Sequence, residues 1–129
     1  MLIEDLGTYL QNSGHGTLGS TLFIYQLPDE PDTCLALRGY EGIDPSYSHD
    51  SVLPSFERPR LQLTARSATI ETAMAMAWAA WRNLSRIKNE SINGSFYLAV
   101  RPLQSPFIME RDSSNRWIAA ANFEVWKEI

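Results

Sequence analysis

One conventional chemical motif stands in the sequence, the stretch GHGTLG at residues 14–19. Its glycine spacing matches that of a dinucleotide-binding loop. In such loops the glycines follow a strand and open a helix, so that a pyrophosphate binds the free amide groups at the helix start. Here they follow a helical pattern and precede a strand-like one. The sequence therefore predicts a turn at this place and no nucleotide site.

The two histidines do not form a metal or catalytic set. His15 and His49 are the only histidines, and neither has a second His, a Cys or a carboxylate at the spacing of a zinc site. The tripeptide HDS at residues 49–51 contains the residue types of a catalytic triad. Adjacent residues on one loop cannot converge as nucleophile, base and orienting group, so we interpret them as loop residues.

The acidic pairs and the cysteine suit structural positions. Glu4 and Asp5 fall in the first turn of a predicted helix, where carboxylates are favourable, and Glu110 and Asp112 fall near a hairpin tip. Cys34 is the only cysteine, so no internal disulfide is possible, and its setting in DTCLALRG predicts a buried strand residue. We predict no catalytic residue, no cofactor and no metal ion, and hence a protein that is not an enzyme.

Composition restricts the class of protein further. A chain of 129 residues that is 44% hydrophobic and 20% charged is long enough for one real core, so we expect a single domain over residues 1–129. The net charge of -4 offers no reason to expect a nucleic-acid partner or an anionic membrane. No segment approaches the ~20 apolar residues of a membrane span, and the chain starts with acidic residues where a secretory signal is basic.

The spacing of apolar residues predicts two helices, each with an apolar face that packs against the rest of the fold. The first is short and lies within residues 2–10, and the second follows Ser67 or Thr69 as its cap and runs through residues 70–88. The predicted core face of the second helix and its flank consist of Ile70, Met74, Ala77, Trp81 and Leu84, with Ala73, Met76, Ala80 and Ile87. Ala75 and Ala79 lie opposite, which is typical either of a good helix former in solvent or of a helix covered by a neighbour.

Strand-like segments fill most of the remaining sequence. Residues 20–28 and 33–40 predict an antiparallel hairpin, and residues 95–103, 106–111 and 117–126 predict three more strands. Residues 60–66 alternate, so that Leu61, Leu63 and Ala65 face the core. Residues 41–57 follow neither period and predict a long functional loop. The fold class is α+β, with a largely antiparallel sheet of about six strands, a long helix packed on one face and a short N-terminal helix.

Aromatic and small residues outside the predicted core suggest surfaces that bind other protein chains. Aromatic anchors and arginines are enriched in such surfaces. Tyr47 and Phe56 lie on the predicted long loop and Tyr40 directly precedes it. Four candidates lie on the second helix, and the others lie on the flanking strands. The candidate interface residues are Tyr40, Tyr47, Phe56, Arg58, Ala75, Trp78, Ala79, Arg82 and Trp126.

The stretch FERPRLQLTARSATIETAMAMAWAAWRNLSRI at residues 56–87 resembles the tail terminator and minor capsid (tail completion) proteins of tailed bacteriophages. In that family a long loop precedes a proline, an alternating strand that ends in arginine, a few small residues, and an alanine-rich helix that closes with leucine. The matching features here are Pro59, the strand at residues 60–66, the link at residues 67–68, and the helix with Ala73, Ala77, Ala80 and Leu84.

The resemblance implies a structural virion protein of the tail or neck that assembles in the host cytoplasm. It implies a hexameric ring that caps the tail tube, ends tube polymerisation and joins the tail to the head or neck. Its partners are then other copies of itself, the tail tube protein and a neck or connector protein. One alternative is a stopper or adaptor protein of the head–tail connector. Another is a small cytosolic enzyme or ligand-binding domain that uses a cleft between the long loop and the sheet.

The substitution Ala79→Glu tests the helix as an interface. We expect it to block ring assembly while leaving the monomer folded, because a carboxylate on the back of the helix would have to be desolvated in a contact between subunits. Native mass and circular dichroism measure the two effects. Unchanged assembly would remove this helix from the interface.

Overall fold

The structure, a computed structural model, describes residues 2–47 and 54–128 and shows two helices on one face of a mixed sheet. Within these residues the sheet has seven strands. The elements in chain order are α1 (Leu2–Asn12), β1 (Leu22–Ile24), β2 (Cys34–Tyr47), β3 (Pro54–Ser67), α2 (Ile70–Ser85), β4 (Lys88–Ile92), β5 (Ser95–Pro102), β6 (Phe107–Arg111) and β7 (Trp117–Glu128).

The sheet is arranged around β3 and β7. Its strand order is β1-β2-β3-β7-β5-β4, and β6 also pairs with β7. The first part of β7 pairs with β6 and its second part with β5, while β3 lies along its other side. Every pairing except that of β1 with β2 is antiparallel. The predicted α+β class is confirmed. The predicted largely antiparallel sheet fits only in part, because the sheet is mixed, and the described residues contain one strand more than expected.

The predicted hairpin of the first two strands is wrong, because β1 and β2 run parallel, with Leu22 opposite Leu35. A parallel pair requires the intervening chain to return to the starting end of the sheet. Residues 25–33 make this return over the face opposite the helices, where Arg66 donates to the backbone carbonyl oxygens of Pro31 and Asp32. The strand patterns carried no information about that return path.

The predicted long loop at residues 41–57 is also wrong for most of its length. β2 continues to Tyr47 and β3 begins at Pro54, so residues 41–47 and 54–57 belong to strands. The β2–β3 register shifts three times beyond Tyr40, and such irregularities break the alternation by which a strand is recognised. Residues 48–53 of the predicted loop, including His49 and the HDS tripeptide, lie outside the described residues.

A short strand was missed just after α2. The second helix was expected to run through residue 88, but it ends at Ser85, β4 occupies Lys88–Ile92, and only residues 93–94 turn back toward β5. β4 pairs with β5, and of its side chains only that of Ile92 is buried. A charged edge strand has no apolar face for the sequence pattern to reveal, and charge on an edge discourages pairing with other chains.

α2 packs against β3 and β7 through a stripe of small side chains. Thr69 caps the helix, as expected, and its hydroxyl oxygen accepts from the Thr72 amide. The buried helix residues are Ala73, Ala77, Ala80 and Leu84. Ala77 and Leu84 of the predicted core face are therefore confirmed, and the face is rotated toward the predicted flank, which contributes Ala73 and Ala80. Ile70, predicted to be core, is 37% exposed, and Trp81 is only half-buried.

The facing strands explain this rotation of the helix. The core sides of β3 and β7 contribute Ala65, Ala119 and Ala121 to the same cluster as the helix alanines. Small residues on both sides permit close approach, and close-packed interiors favour the arrangement that leaves the fewest voids. The large side chains of α2 are consequently displaced to its flanks. The alternation of β3 is confirmed, since Leu61, Leu63 and Ala65 lie in this core.

α1 is attached to the sheet and to the end of α2 by polar contacts. The buried Tyr97 hydroxyl donates to the Asp5 carboxylate at 2.7 Å, and burial is the main cause that raises the pKa of Tyr97. The His15 ring nitrogen and the Asn83 side-chain oxygen are 2.7 Å apart. The glycine-rich residues 14–19 form the predicted turn between α1 and β1, with Gly14, Gly16 and Gly19 at positive φ.

A pair of matched substitutions tests the alanine contact. We expect Ala77→Leu to lower the free energy of unfolding by about 1–3 kcal/mol, because the added atoms cannot fit between the helix and the strands. Ala75→Leu, on the exposed side of the same helix, introduces the same atoms and should be nearly neutral. Urea denaturation of both variants measures the difference. Equal effects would contradict the close packing of α2.

Candidate protein-binding surfaces

The outward side of α2 forms the first surface, which we call the α2 outer surface: Ala75, Trp78, Ala79, Trp81 and Arg82. Ala75 and Arg82 are exposed, and the other three are half-buried. The rings of Trp78 and Trp81 meet edge to face with centroids 5.2 Å apart, and the Arg82 guanidinium lies 5.6 Å from the Trp78 ring centroid. These contacts hold two large aromatic side chains at a surface that water reaches, which is typical of a protein interface.

The second surface lies where β3 and β7 reach the opposite end of the sheet from the turn at residues 67–69. We call it the strand-end cluster: Phe56, Arg58, Arg60, Glu124 and Trp126. The antiparallel register places Arg60 opposite Glu124. The Arg58 guanidinium lies 4.9 Å from the Trp126 ring centroid, and the Trp126 indole N–H donates to Glu124 at 2.7 Å. This surface is on the sheet face that the helices leave open.

Hydrogen-bond donors outnumber acceptors in the strand-end cluster. Glu124 is 6% exposed and accepts from Trp126, while its other oxygen lies 3.8 Å from an Arg60 Nη atom. The Nε atoms of Arg58 and Arg60 are both buried without a hydrogen-bond partner. Buried donors of this kind are rare in folded proteins and call for an explanation. Among the described side chains, Glu124 is the carboxylate paired with Arg60, while Arg58 lies over the Trp126 ring.

The structure thus brings the predicted interface residues into two groups on opposite faces of the sheet. Ala75, Trp78, Ala79 and Arg82 share the α2 outer surface. Phe56, Arg58 and Trp126 share the strand-end cluster, and Tyr40 lies beside it because it pairs with Arg60. Tyr47 ends β2 opposite Pro54, and its side chain is outside the described part of the chain. Tyr40, Tyr47 and Phe56 lie on strands and not on a loop.

A third feature was not predicted from the sequence: an acidic segment at residues 29–32. Arg66 and Arg116 bind its backbone from the sheet, and we call this arrangement the clamp. Arg116 contacts Asp32 at 3.1 Å and Asp112 at 2.8 Å, and it also donates to the Asp29 backbone oxygen. Arg66 donates to the Pro31 backbone oxygen at 2.6 Å from the other side. The outward position of Arg66 in its alternating strand was the one available signal, but its partners are distant in sequence.

A shallow cleft of about 290 Å³ opens between β6 and the return path of residues 25–33. Tyr25 and Leu27 form one wall and Met109 the other, over a floor that includes Ala36 and Thr64. It is not the cleft that was predicted between a long loop and the sheet. In residues 2–47 and 54–128, no group of three or more His, Cys, Asp or Glu side chains is placed to hold a metal ion.

The family model described as bacteriophage tail terminator protein matches residues 9–129. The chain belongs to this family. The match includes both the α2 outer surface and the strand-end cluster. The chain is therefore a structural protein of a phage tail and a component of the virion.

A solved structure shows that this member of the tail terminator family shares its fold with another virion chain. That chain comes from a structure titled "Virion of native gene transfer agent (GTA) particle". It is similar with a TM-score of 0.59 at 16% identity, over 86% of this chain and 81% of that one. No curated protein matches the sequence. No helix in the described residues of this tail terminator is long and apolar enough to cross a membrane.

Electrostatics at the clamp gives a prediction for the pH dependence of stability. The Asp112 carboxylate accepts from the Arg116 and Ser114 amides, and these bonds with the Arg116 side chain hold its pKa below the usual aspartate range. A lowered folded pKa means that the ionised group stabilises the fold above the pKa of the unfolded chain. That contribution is lost as the pH falls through the folded value.

We expect Asp112→Asn to lower stability at pH 7 and to reduce the further loss of stability between about pH 4 and pH 2. Urea denaturation over that range measures both effects. Glu110→Gln, which removes an exposed carboxylate from neighbouring β6, is the matched control and should change the profile less. Identical profiles for the two variants would contradict a clamp held by Asp112.

Proposed function

We propose that this protein forms a closed ring of its own copies, a hexamer, on the end of the tail tube. In this role the ring ends tube polymerisation and presents a surface to a neck or connector protein, which joins the tail to the head. The observation that carries the proposal is the tail terminator family match across residues 9–129. We further propose that the chain acts by binding proteins and is not an enzyme.

The arrangement of surfaces supports a ring. A ring requires a heterologous contact, in which each subunit uses two different patches that fit one another. The α2 outer surface and the strand-end cluster lie on opposite faces of the sheet, and only the strand-end cluster contains a carboxylate. One subunit therefore carries more than one separate surface with aromatic and arginine side chains. Such a subunit can contact a neighbour on one side and still retain a surface for the tube or the neck.

The exposed apolar residues support binding to several partners. The largest exposed apolar side chains of the described residues occur at separate places, including Tyr25, Ile70 and Met109. Tyr25 and Met109 stand on the two walls of the cleft, and Ile70 begins α2. Scattered apolar residues are common on monomers, but the position of Tyr25 and Met109 at one cleft favours a contact with another protein chain there.

Native mass is the first test of the proposal. We expect light scattering of the purified chain to give a mass close to six times 14.6 kDa, with or without divalent cations. If rings form only on a template, adding purified tail tubes should produce a ring at one end of each tube. Tubes assembled in the presence of the protein should then be shorter and more uniform in length than tubes assembled alone.

The outcomes separate the proposal from its alternatives. A chain that stays monomeric, leaves tubes unchanged and binds an isolated connector ring would be a neck protein and not a terminator. A monomer that binds none of these assemblies would contradict the proposal. In that case, a thermal shift with small metabolites would test the cleft as a ligand site, since saturating ligand stabilises the folded state.

A further inference from the structure

We propose that the strand-end cluster of one copy binds the clamped acidic segment at residues 29–32 of the next copy. This contact is the head-to-tail joint between subunits, and it rests on the proposed ring. The occupant is a second copy of this chain, identified by the opposite charges of the two patches and by their places at the two ends of β3.

The donor side of the joint is already ordered. The Arg58 guanidinium lies over the Trp126 ring, and Arg60 stands opposite Glu124 in the sheet, with which it forms an ion pair at 3.8 Å. A planar guanidinium in a fixed orientation matches a carboxylate with two parallel hydrogen bonds. Among the described residues, Glu124 is paired with Arg60, and the Nε atoms of Arg58 and Arg60 both lack hydrogen-bond partners. An additional carboxylate from outside would balance this cluster.

The acceptor side is also ordered before contact. Arg66 and Arg116 hold the segment through backbone carbonyl oxygens of Asp29, Pro31 and Asp32. Because the clamp uses mainly the backbone, the carboxylates of Asp29 and Glu30 remain exposed, with no described hydrogen-bond or ion-pair partner. Ordering a loop at an interface adds to the free-energy cost of association. Here the arginines already order the segment in the free subunit, so that cost is reduced.

Distance requires the contact to be between molecules. Arg58 and Arg66 lie on the same face of β3 and are eight residues apart in the strand. At about 3.3 Å per residue their backbones are separated by roughly 26 Å. The cluster near Arg58 cannot reach the segment that Arg66 holds in its own subunit. Pairing the two patches between subunits is a heterologous contact, which closes into a ring or continues as a filament.

The net negative charge of the chain makes the orientation of this contact selective. Each copy carries a formal charge of -4, so copies repel one another at long range. A local match of arginines with carboxylates overcomes this repulsion in one orientation and leaves other orientations unfavourable. Assembly through such a joint should weaken as the salt concentration rises from about 0.1 M to 1 M, because the Debye length falls from ~10 Å to ~3 Å.

Reversing the charge on each side of the proposed contact, first separately and then together, tests whether Arg58 and Glu30 meet between subunits. Glu30→Arg changes an exposed side chain and should raise the protein concentration needed for half-assembly by about tenfold or more. Arg58→Glu should weaken assembly in the same way. An equimolar mixture of the two variants should assemble again, because in an alternating ring every contact then joins opposite charges. The double variant Arg58→Glu with Glu30→Arg should also assemble.

Controls separate this contact from the proposed function. Glu90→Arg makes the same charge change on the exposed edge strand β4 and should assemble like the unchanged chain. If the unchanged chain forms rings and Glu30→Arg forms them equally well, the joint is wrong and the ring stands. A loss that neither the mixture nor the double variant restores also overturns the joint. If the unchanged chain forms no ring with or without tubes, the ring proposal fails and the joint fails with it.

If circular dichroism shows that the Arg58→Glu variant is unfolded, the Arg58→Gln variant is used in its place. Arg58→Gln removes the charge without bringing a second carboxylate close to Glu124. Arg58→Gln should weaken assembly. The double variant Arg58→Gln with Glu30→Gln should assemble no less well than either single variant, because both changes interrupt the same contact. Additive losses would place the two residues in different contacts and overturn the joint.

Discussion

The contact of α2 with β3 and β7 is the constraint on which the other features depend. Alanine side chains line both sides of this contact, so the helix lies close to the sheet and one stripe of it is fully covered. Trp78 and Trp81 cannot enter so narrow a space, and they are displaced to the flanks, where they form an ordered aromatic surface. Core packing in this protein therefore decides which large side chains are available to partners.

The opposite face of the sheet is organised by charge. Arg66 and Arg116 hold the return path of residues 25–33 across that face, which allows β1 to lie parallel to β2. The far end of the same face carries arginines stacked and paired with Trp126 and Glu124. Most of these groups are partly buried, and electrostatic interactions between partly buried groups are stronger than in water. The fold thus presents preformed charged patches at two ends of one strand.

Local signals predicted the parts of this protein that depend on nearby residues. Thr69 is a helix cap whose partner is three residues away, and the core side of β3 follows from strict alternation. The parallel placement of β1, by contrast, depends on Arg116, which is more than eighty residues from Asp29. The rotation of α2 depends on alanines in β7, so no pattern within the helix could reveal it. The candidate interface residues were chosen by residue type, while their grouping on opposite faces of the sheet depends on the fold.

Electron cryomicroscopy of tail tubes incubated with the protein tests the central claim most directly. We predict one closed ring at a single end of each tube, with the strand-end cluster of each copy against residues 29–32 of the next. The α2 outer surface should be in contact with a neighbouring protein and not with solvent. Copies bound along the length of the tube, or tube ends without bound protein, would contradict this account.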